Sequence, residues 1–277
     1  MTKIIVVTSG KGGVGKTTTS VNIAVGFAKR GKKTCVVDFD VGLRNVDLLL
    51  GLERRVIYDS IQVIEKKARL NQALIHYNRE GLGNDLLTML ATSQTSDKNA
   101  LTKEGIEEIF NELKEMGYEY IICDSPAGIE HGAEMAMYFA DEAVIVVNPE
   151  ISSIRDSDRI VGIIDSKTKR SEMGLPPMPK HLVITRYHPE RVEAGELMGT
   201  DQILRVLALK LQGIIPESPD AVVSSNQGIP MALNPSSEAG QAYLDFVDRL
   251  MGDDNLPFRF IEPQPLSIWK RLLGLGK

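Results

Sequence analysis

The chain has 277 residues, 43% hydrophobic and 25% charged, which suits one large α/β domain and leaves room for little else. A formal net charge of −5 excludes a surface built throughout for polyanions, while a local basic patch stays open. Cys35 and Cys123 each sit inside an apolar run that reads as a central strand, so buried thiols are expected and neither a bridge nor a metal pair.

The first apolar run, Ile4 to Val7, leads into Gly10-Lys11-Gly12-Gly13-Val14-Gly15-Lys16-Thr17-Thr18 and the start of a helix. Four glycines in this loop let backbone N–H groups converge on an anion, and the helix beginning at Lys16 adds the positive end of its dipole. The spacing Gly10-x4-Gly15-Lys16-Thr17 satisfies the P-loop pattern, in which the lysine reaches the β- and γ-phosphates and the hydroxyl holds Mg²⁺. Gly10 through Thr18 are therefore the expected phosphate seat. Gly10, Gly12 and Gly15 also fit the dinucleotide fingerprint, with Asp38 near the place of its ribose-binding acid. That site has no use for a Lys-Thr pair directly after the last glycine, so it is the weaker reading.

Lys11 is a second lysine inside the loop. On charge alone it is either a solvated loop lysine or a cation able to cross a dimer interface and meet a partner's phosphates. The string Lys11-Gly-Gly-x-Gly-Lys16-Thr-Thr resembles the deviant Walker A motif of the ParA/MinD ATPases, whose members sandwich two ATP between two subunits. The resemblance implies an ATP-dependent homodimer with Lys11 acting in trans.

Further Val- and Ile-rich runs follow at Thr34 to Val37, Leu86 to Leu90, Tyr120 to Cys123, Ala143 to Val147, Leu182 to Thr185 and Leu211 to Ile215. Alternating with helix-length segments, they predict a mostly parallel sheet covered by helices on both faces, a three-layer α/β/α fold. The first helix is expected from Lys16 to about Arg30, stopped by Gly31. Another is marked by the stripe Ile106, Ile109, Phe110, Leu113 and Met116, ending at Gly117. By resemblance the architecture is that of a P-loop NTPase of the SIMIBI type.

Ligands of such sheets gather at the carboxyl ends of the strands. The second run ends in Val37-Asp38-Phe39-Asp40 and the fourth in Cys123-Asp124-Ser125-Pro126-Ala127-Gly128. Carboxylates there are costly unless paired or facing a metal, so Thr17, Asp38, Asp40 and Asp124 are expected around Mg²⁺, mostly through water. The alternative for Asp124 is a cap on a turn or helix. By position Asp40 is the candidate to orient the attacking water, and Gly128 permits a backbone N–H to follow the γ-phosphate. Lys11, Lys16 and Asp40 are thus the expected catalytic set of a Mg-dependent ATP hydrolase with slow intrinsic turnover. The strings Asp40 to Asp47 and Asp124 to Glu130 resemble the two switches of MinD-type members of the family.

The segment from Asn148 to Arg159 opens a helix whose exposed face alternates in charge, with Ser152 as its expected cap. A solvated face is the plain reading. Resemblance implies a partner surface at Arg44, Asn45, Ser152, Ser153, Arg155, Asp156 and Asp158, receiving the division inhibitor MinC and the regulator MinE. Residues 167 to 180 read as an exposed excursion. Arg186 and Pro216, at the ends of late strands, lie where relatives seat the adenine. His76, His131, His181 and His188 show no metal-ligand spacing.

A last domain helix is expected from Ser237 to Met251, followed by Pro257, Pro263 and Pro265. In the final stretch Leu266, Trp269, Leu272 and Leu273 share one helical face, Lys270 and Arg271 project from the other side, and Ile268 and Leu275 add apolar bulk. The segment either docks on its own domain or lies in an anionic membrane surface. Its proline linker, its basic pair and the resemblance favour lipid. The expected organisation is an ATPase domain over 1–261, a linker over 262–265 and a membrane-targeting helix over 266–277. No secretory signal is read and no apolar run approaches the ~20 residues of a membrane span, so a cytoplasmic protein held peripherally at the inner membrane is expected. The resemblance implies that the ATPase helps place the division septum. A partition ATPase that binds DNA is disfavoured by the acidic balance and the tail, and a nitrogenase-type reductase by cysteines lying within strands.

Overall fold

The computed structural model describes residues 2–259. The calls on the linker at 262–265 and on Leu266, Ile268, Trp269, Lys270, Arg271, Leu272, Leu273 and Leu275 lie outside the described residues.

The seven apolar runs form strands, and an eighth joins them: β1 (Lys3–Thr8), β2 (Thr34–Asp38), β3 (Leu74–His76), β4 (Leu87–Leu90), β5 (Tyr120–Asp124), β6 (Glu142–Val147), β7 (Lys180–Tyr187) and β8 (Lys210–Pro216). They make one sheet in the order β3-β4-β2-β5-β1-β6-β7-β8. Every pairing is parallel except β3 with β4, an antiparallel edge. Ile5, Val6, Val7, Ile121, Ile122, Val144 and Ile145 are fully buried, each side chain contributing ~1.5–3 kcal/mol, because helices cover both faces.

One face is covered by α1 (Lys16–Lys29), α2 (Val46–Leu50) and, later in the chain, α12 (Glu238–Leu250). The other carries α3 (Ser60–Ile64), α4 (Leu70–Ala73), α5 (Lys103–Glu115), α6 (His131–Tyr138), α7 (Ile151–Ser166) and α10 (Thr200–Leu207). The short α8 (Lys169–Glu172) lies in the exposed excursion, and α9 (Pro189–Glu193) and α11 (Asp220–Gln227) follow β7 and β8. In α5 the striped residues Ile106, Ile109, Phe110 and Leu113 are buried, and the Thr102 hydroxyl caps the helix by accepting from Gly105 N–H at 3.1 Å. Ser237 caps α12 in the same way, accepting from Gly240 N–H at 3.2 Å.

Two local details depart from the expectation. β3 has three residues, too few to show a period in the sequence. Ser152 does not cap α7: Glu150 is the residue before the helix, and the Ser152 hydroxyl instead accepts from Lys11 Nζ at 3.0 Å.

Sheet order brings the motifs together. β1, which feeds the glycine loop, lies between β5 and β6, and the register sets Asp38 directly opposite Asp124 at the ends of neighbouring strands. Among the described residues no helix is long and apolar enough to cross a membrane.

Candidate nucleotide site

At the carboxyl ends of β1, β2 and β5 the loop after β1 turns into α1 around a cavity of about 550 Å³. Its wall includes Gly12, Gly13, Gly15, Lys16, Thr17 and Thr18, then Asp40 and Asn45, and on the far side Arg186. Gly13 and Gly15 have φ of +75° and +96°, a region open to glycine at no steric cost. A Cβ built on Gly12, Gly13 or Gly15 would meet no atom within 4 Å, so the backbone here borders open space sized for another group.

Gly10 is different. A Cβ there would fall 2.1 Å from the carbonyl carbon of Asp156 in α7, and Gly10 N–H donates to Ser157 Oγ at 3.4 Å. Glycine is required at this position by the approach of α7, whatever the loop binds.

Lys16 is buried, and its Nζ donates to Ser9 Oγ at 3.1 Å and Lys11 O at 3.5 Å, both neutral acceptors. Burial pulls its pKa below the usual lysine value, with Asp124 and Asp40 opposing. Asp124 is also buried and accepts from Ser20 Oγ at 2.7 Å. Burial pushes its carboxyl above the usual range, against hydrogen bonds from Ser20 and Thr17 and the charge of Lys16. At Asp38 burial, then the charge of Asp124, raises the carboxyl as well.

Asp38 has a structural task. Its Oδ1 accepts from Asp40 N–H at 2.8 Å and its Oδ2 from Asn45 N–H at 3.1 Å and Val46 N–H at 3.3 Å. It ties the Asp40 loop to the first turn of α2, the capping role weighed for Asp124. Among the described residues no three His, Cys, Asp or Glu side chains are grouped to hold a metal directly. A hard divalent ion would here take the Thr17 hydroxyl, phosphate oxygens and water, with Asp124 and Asp40 behind. The donor set fits the pair of groups: a buried cation whose hydrogen bonds go to neutral oxygens, beside open backbone, suits a phosphate, and crowded carboxylates suit Mg²⁺.

Other expected residues are placed differently. Lys11 Nζ pairs with Glu150 Oε2 at 2.7 Å on its own chain. Gly128, with φ +83°, donates its N–H to Ser9 O at 3.1 Å. Val14 is buried beneath the loop, its carbonyl accepting from Thr185 Oγ1 at 2.7 Å. Pro216 is not in the cavity wall, whereas Ser225 of α11 and Glu130 are. Glu130 closes the string Asp124 to Glu130 but is not among the expected site residues, and Ser225 belongs to no motif, so no sequence signal pointed to it. Along α7, Ser152, Arg155 and Asp158 are exposed and Asp156 is half-buried, but Ser153 faces inward and accepts from Asn148 N–H at 3.3 Å. Arg44 is largely covered, its Nε 2.7 Å from the buried Asp47 carboxylate, and Asn45 is half-buried. Cys35 and Cys123 are buried free thiols, Cys35 pushed up to about 12 by burial.

A family model described as an AAA domain matches residues 2–175. The septum site-determining protein MinD of Escherichia coli K12 is 54% identical over 274 residues, covering 99% of this chain and 100% of its own. In the MinC:MinD cell division protein complex of Aquifex aeolicus, a chain 40% identical superposes with a TM-score of 0.78 over 96% of this chain and 98% of that one. MinD of Pyrococcus horikoshii, solved with Mg-ADP, is 27% identical with a TM-score of 0.76 over 90% of this chain and 96% of its own.

Proposed function

This chain belongs to the MinD family of P-loop ATPases, and from that premise we propose that it is a nucleotide-controlled organiser of septum placement. It dimerises on ATP, lies peripherally on the cytoplasmic face of the inner membrane, and recruits the division inhibitor MinC, with hydrolysis stimulated by MinE releasing it. ATP and Mg²⁺ are its cofactors. The observation that carries the reading is the buried Lys16 ammonium, held by neutral oxygens beside open glycine backbone and the buried Asp38 and Asp124 carboxyls, which burial and then neighbouring carboxylate charge push up.

The N–H groups of Gly12, Gly13 and Gly15 bind the phosphates, and Lys16 neutralises the charge that develops on them. Thr17 and Asp124 hold the cation, which when bound screens the phosphate oxygens. Asp40 orients the attacking water. Lys11, freed from Glu150, reaches the phosphates of the partner subunit, and Gly128 trades Ser9 O for a phosphate oxygen. The exposed residues of α7, Ser152, Arg155 and Asp158, are offered to MinC and MinE.

Residues 1–261 form the ATPase, 262–265 the linker and 266–277 the lipid contact. Each large apolar side chain in lipid gains at most ~1.5–3 kcal/mol, while ordering residues costs ~1.5 kcal/mol apiece, so one tail binds marginally. A dimer presents two, and the second inserts at an effective concentration of about a millimolar. Trp269, the single tryptophan, reports this directly: its emission is expected to shift to the blue with anionic vesicles, ATP and Mg²⁺, and not with ADP. An equal shift without nucleotide would refute the coupling of ATP to membrane.

A further inference from the structure

Two helices that border the nucleotide cavity end on glycines that touch. α2 ends at Gly51 with φ +63° and α11 at Gly228 with φ +62°. A Cβ on Gly228 would fall 2.4 Å from Gly51 Cα and 2.5 Å from Gly51 N; one on Gly51 would meet Gly228 Cα at 3.3 Å. Gly228 is buried, and the fully buried Tyr77 supports it from below, its hydroxyl donating to Gly228 O at 3.4 Å. A side chain at Gly228 drives the two helix ends apart, and one at Gly51 presses on the contact by a few tenths of an ångström.

Each helix reaches the cavity. α2 contributes Leu48 and Leu49, and α11 contributes Ser225. With phosphates on the glycine loop, the remaining wall has two sides, one that includes Pro126, Ala127 and Glu130 and one of Leu48, Leu49, Arg186 and Ser225, and the second is the side assigned to the nucleoside. The first turn of α2 is tied by Asp38 to the loop that carries Asp40. One rigid path therefore runs from α11 through the glycine contact and α2 to Asp40.

We propose that Gly51 and Gly228 are positioning residues, a contact through which a nucleoside seated against α11 fixes the Asp40 loop at the phosphate end. This rests on the ATPase reading above. It makes the base an ordering element for the carboxylate that handles water, so that a phosphate chain alone binds without setting the loop. α2 is short and held at its two ends, by Asp38 and by Gly51, so a shift of α11 is passed on and not absorbed.

The test is amide hydrogen exchange of residues 40–50 in the full chain with Mg²⁺ and saturating ADP or inorganic pyrophosphate, occupancy being checked by calorimetry. ADP avoids both hydrolysis and ATP-driven pairing. In the wild type ADP is expected to slow exchange about tenfold more than pyrophosphate does. In Gly228→Ala that difference is expected to fall below about twofold. Gly117→Ala is the control: Gly117 follows α5 with φ +81° and no atom within 4 Å of a built Cβ, so it bears the same backbone strain without the contact. Gly51→Ala, the milder intrusion, is expected to fall between, and it carries the test if Gly228→Ala does not fold. The inference is overturned if Gly228→Ala and Gly51→Ala keep the full difference, if Gly117→Ala loses it, or if bound ADP protects the wild type no better than pyrophosphate. Failure of ADP to bind at all would instead sink the ATPase reading and this inference with it.

Discussion

Lys11 Nζ stands 2.7 Å from Glu150 Oε2 and 3.0 Å from Ser152 Oγ, so within a single chain the loop lysine is held at the start of α7. Its partners are the residue before α7 and one in its first turn, and the same helix offers Arg155 and Asp158 to solvent. Under the proposed function Lys11 reaches a second subunit and has first to leave this pair, which would set pairing of two chains against an intrachain bond.

Removing the competitor is therefore expected to favour the dimer. The pair is partly exposed, at 35% and 46% for the two side chains, and such pairs are worth about 0–1 kcal/mol. Glu150→Ala should leave the melting temperature nearly unchanged and, because two such pairs break in each dimer, lower the protein concentration for ATP-dependent pairing by up to about 30-fold. Sedimentation equilibrium with ATP and Mg²⁺ reads this, and an unchanged or raised midpoint would show that the bond does not restrain Lys11.

Two glycines of the loop are expected to part company under the same substitution. Gly10→Ala forces a Cβ to within 2.1 Å of the Asp156 backbone and should destabilise the fold by about 1–3 kcal/mol in urea denaturation. Gly12→Ala meets nothing within 4 Å and should unfold like the wild type. Its methyl group would instead stand where the proposed function seats a phosphate, so nucleotide affinity is expected to fall. Equal stability of the two variants would refute the distinction.

This contrast also marks where sequence stops informing. The glycine loop, the Val- and Ile-rich strands and the stripe of α5 are local patterns, and each was readable from neighbours a few residues apart. The contact of Gly10 with Asp156, the entry of Ser225 into the cavity wall and the meeting of Gly51 with Gly228 join residues more than a hundred positions apart. They depend on the sheet order and on which face each crossover takes. β3 escaped for another reason, since three residues pairing antiparallel at an edge carry no period. Asp38 and Asp124 looked alike as strand-end acids, and only the position of α2 gives Asp38 three backbone donors.

Asp38 and Asp40 should accordingly fail in different ways. Asp38→Ala leaves three backbone N–H groups without their acceptor and is expected to cost about 1–3 kcal/mol of stability. Asp40→Ala should keep stability and ATP binding but lower turnover at least about a hundredfold, as the loss of a water-orienting group does. Denaturation curves, calorimetric ATP affinity and phosphate release separate the two. Undiminished hydrolysis in Asp40→Ala would remove it from the catalytic set.

A pH dependence is built in at the opposite end of the sheet. Glu142, at the start of β6, accepts from Lys3 Nζ at 2.8 Å and from His181 Nε2 at 3.1 Å, so it joins β1, β6 and β7. Burial pushes its carboxyl up, but the hydrogen bonds and charges of His181 and Lys3 outweigh burial, and its pKa lies below the ordinary 4.5. The folded chain thus holds fewer protons at this site than the unfolded chain just below pH 4.5, and stability rises with pH across that window. The contribution is complete above the unfolded pKa and is lost as pH falls through the folded one. Glu142→Gln is expected to cost about 1–2 kcal/mol at pH 7, with the difference from wild type shrinking steadily below about pH 4. Urea denaturation at pH 7, 5 and 3.5 measures it. A cost that stays constant across those values would mean that Glu142 acts through shape and not through its charge.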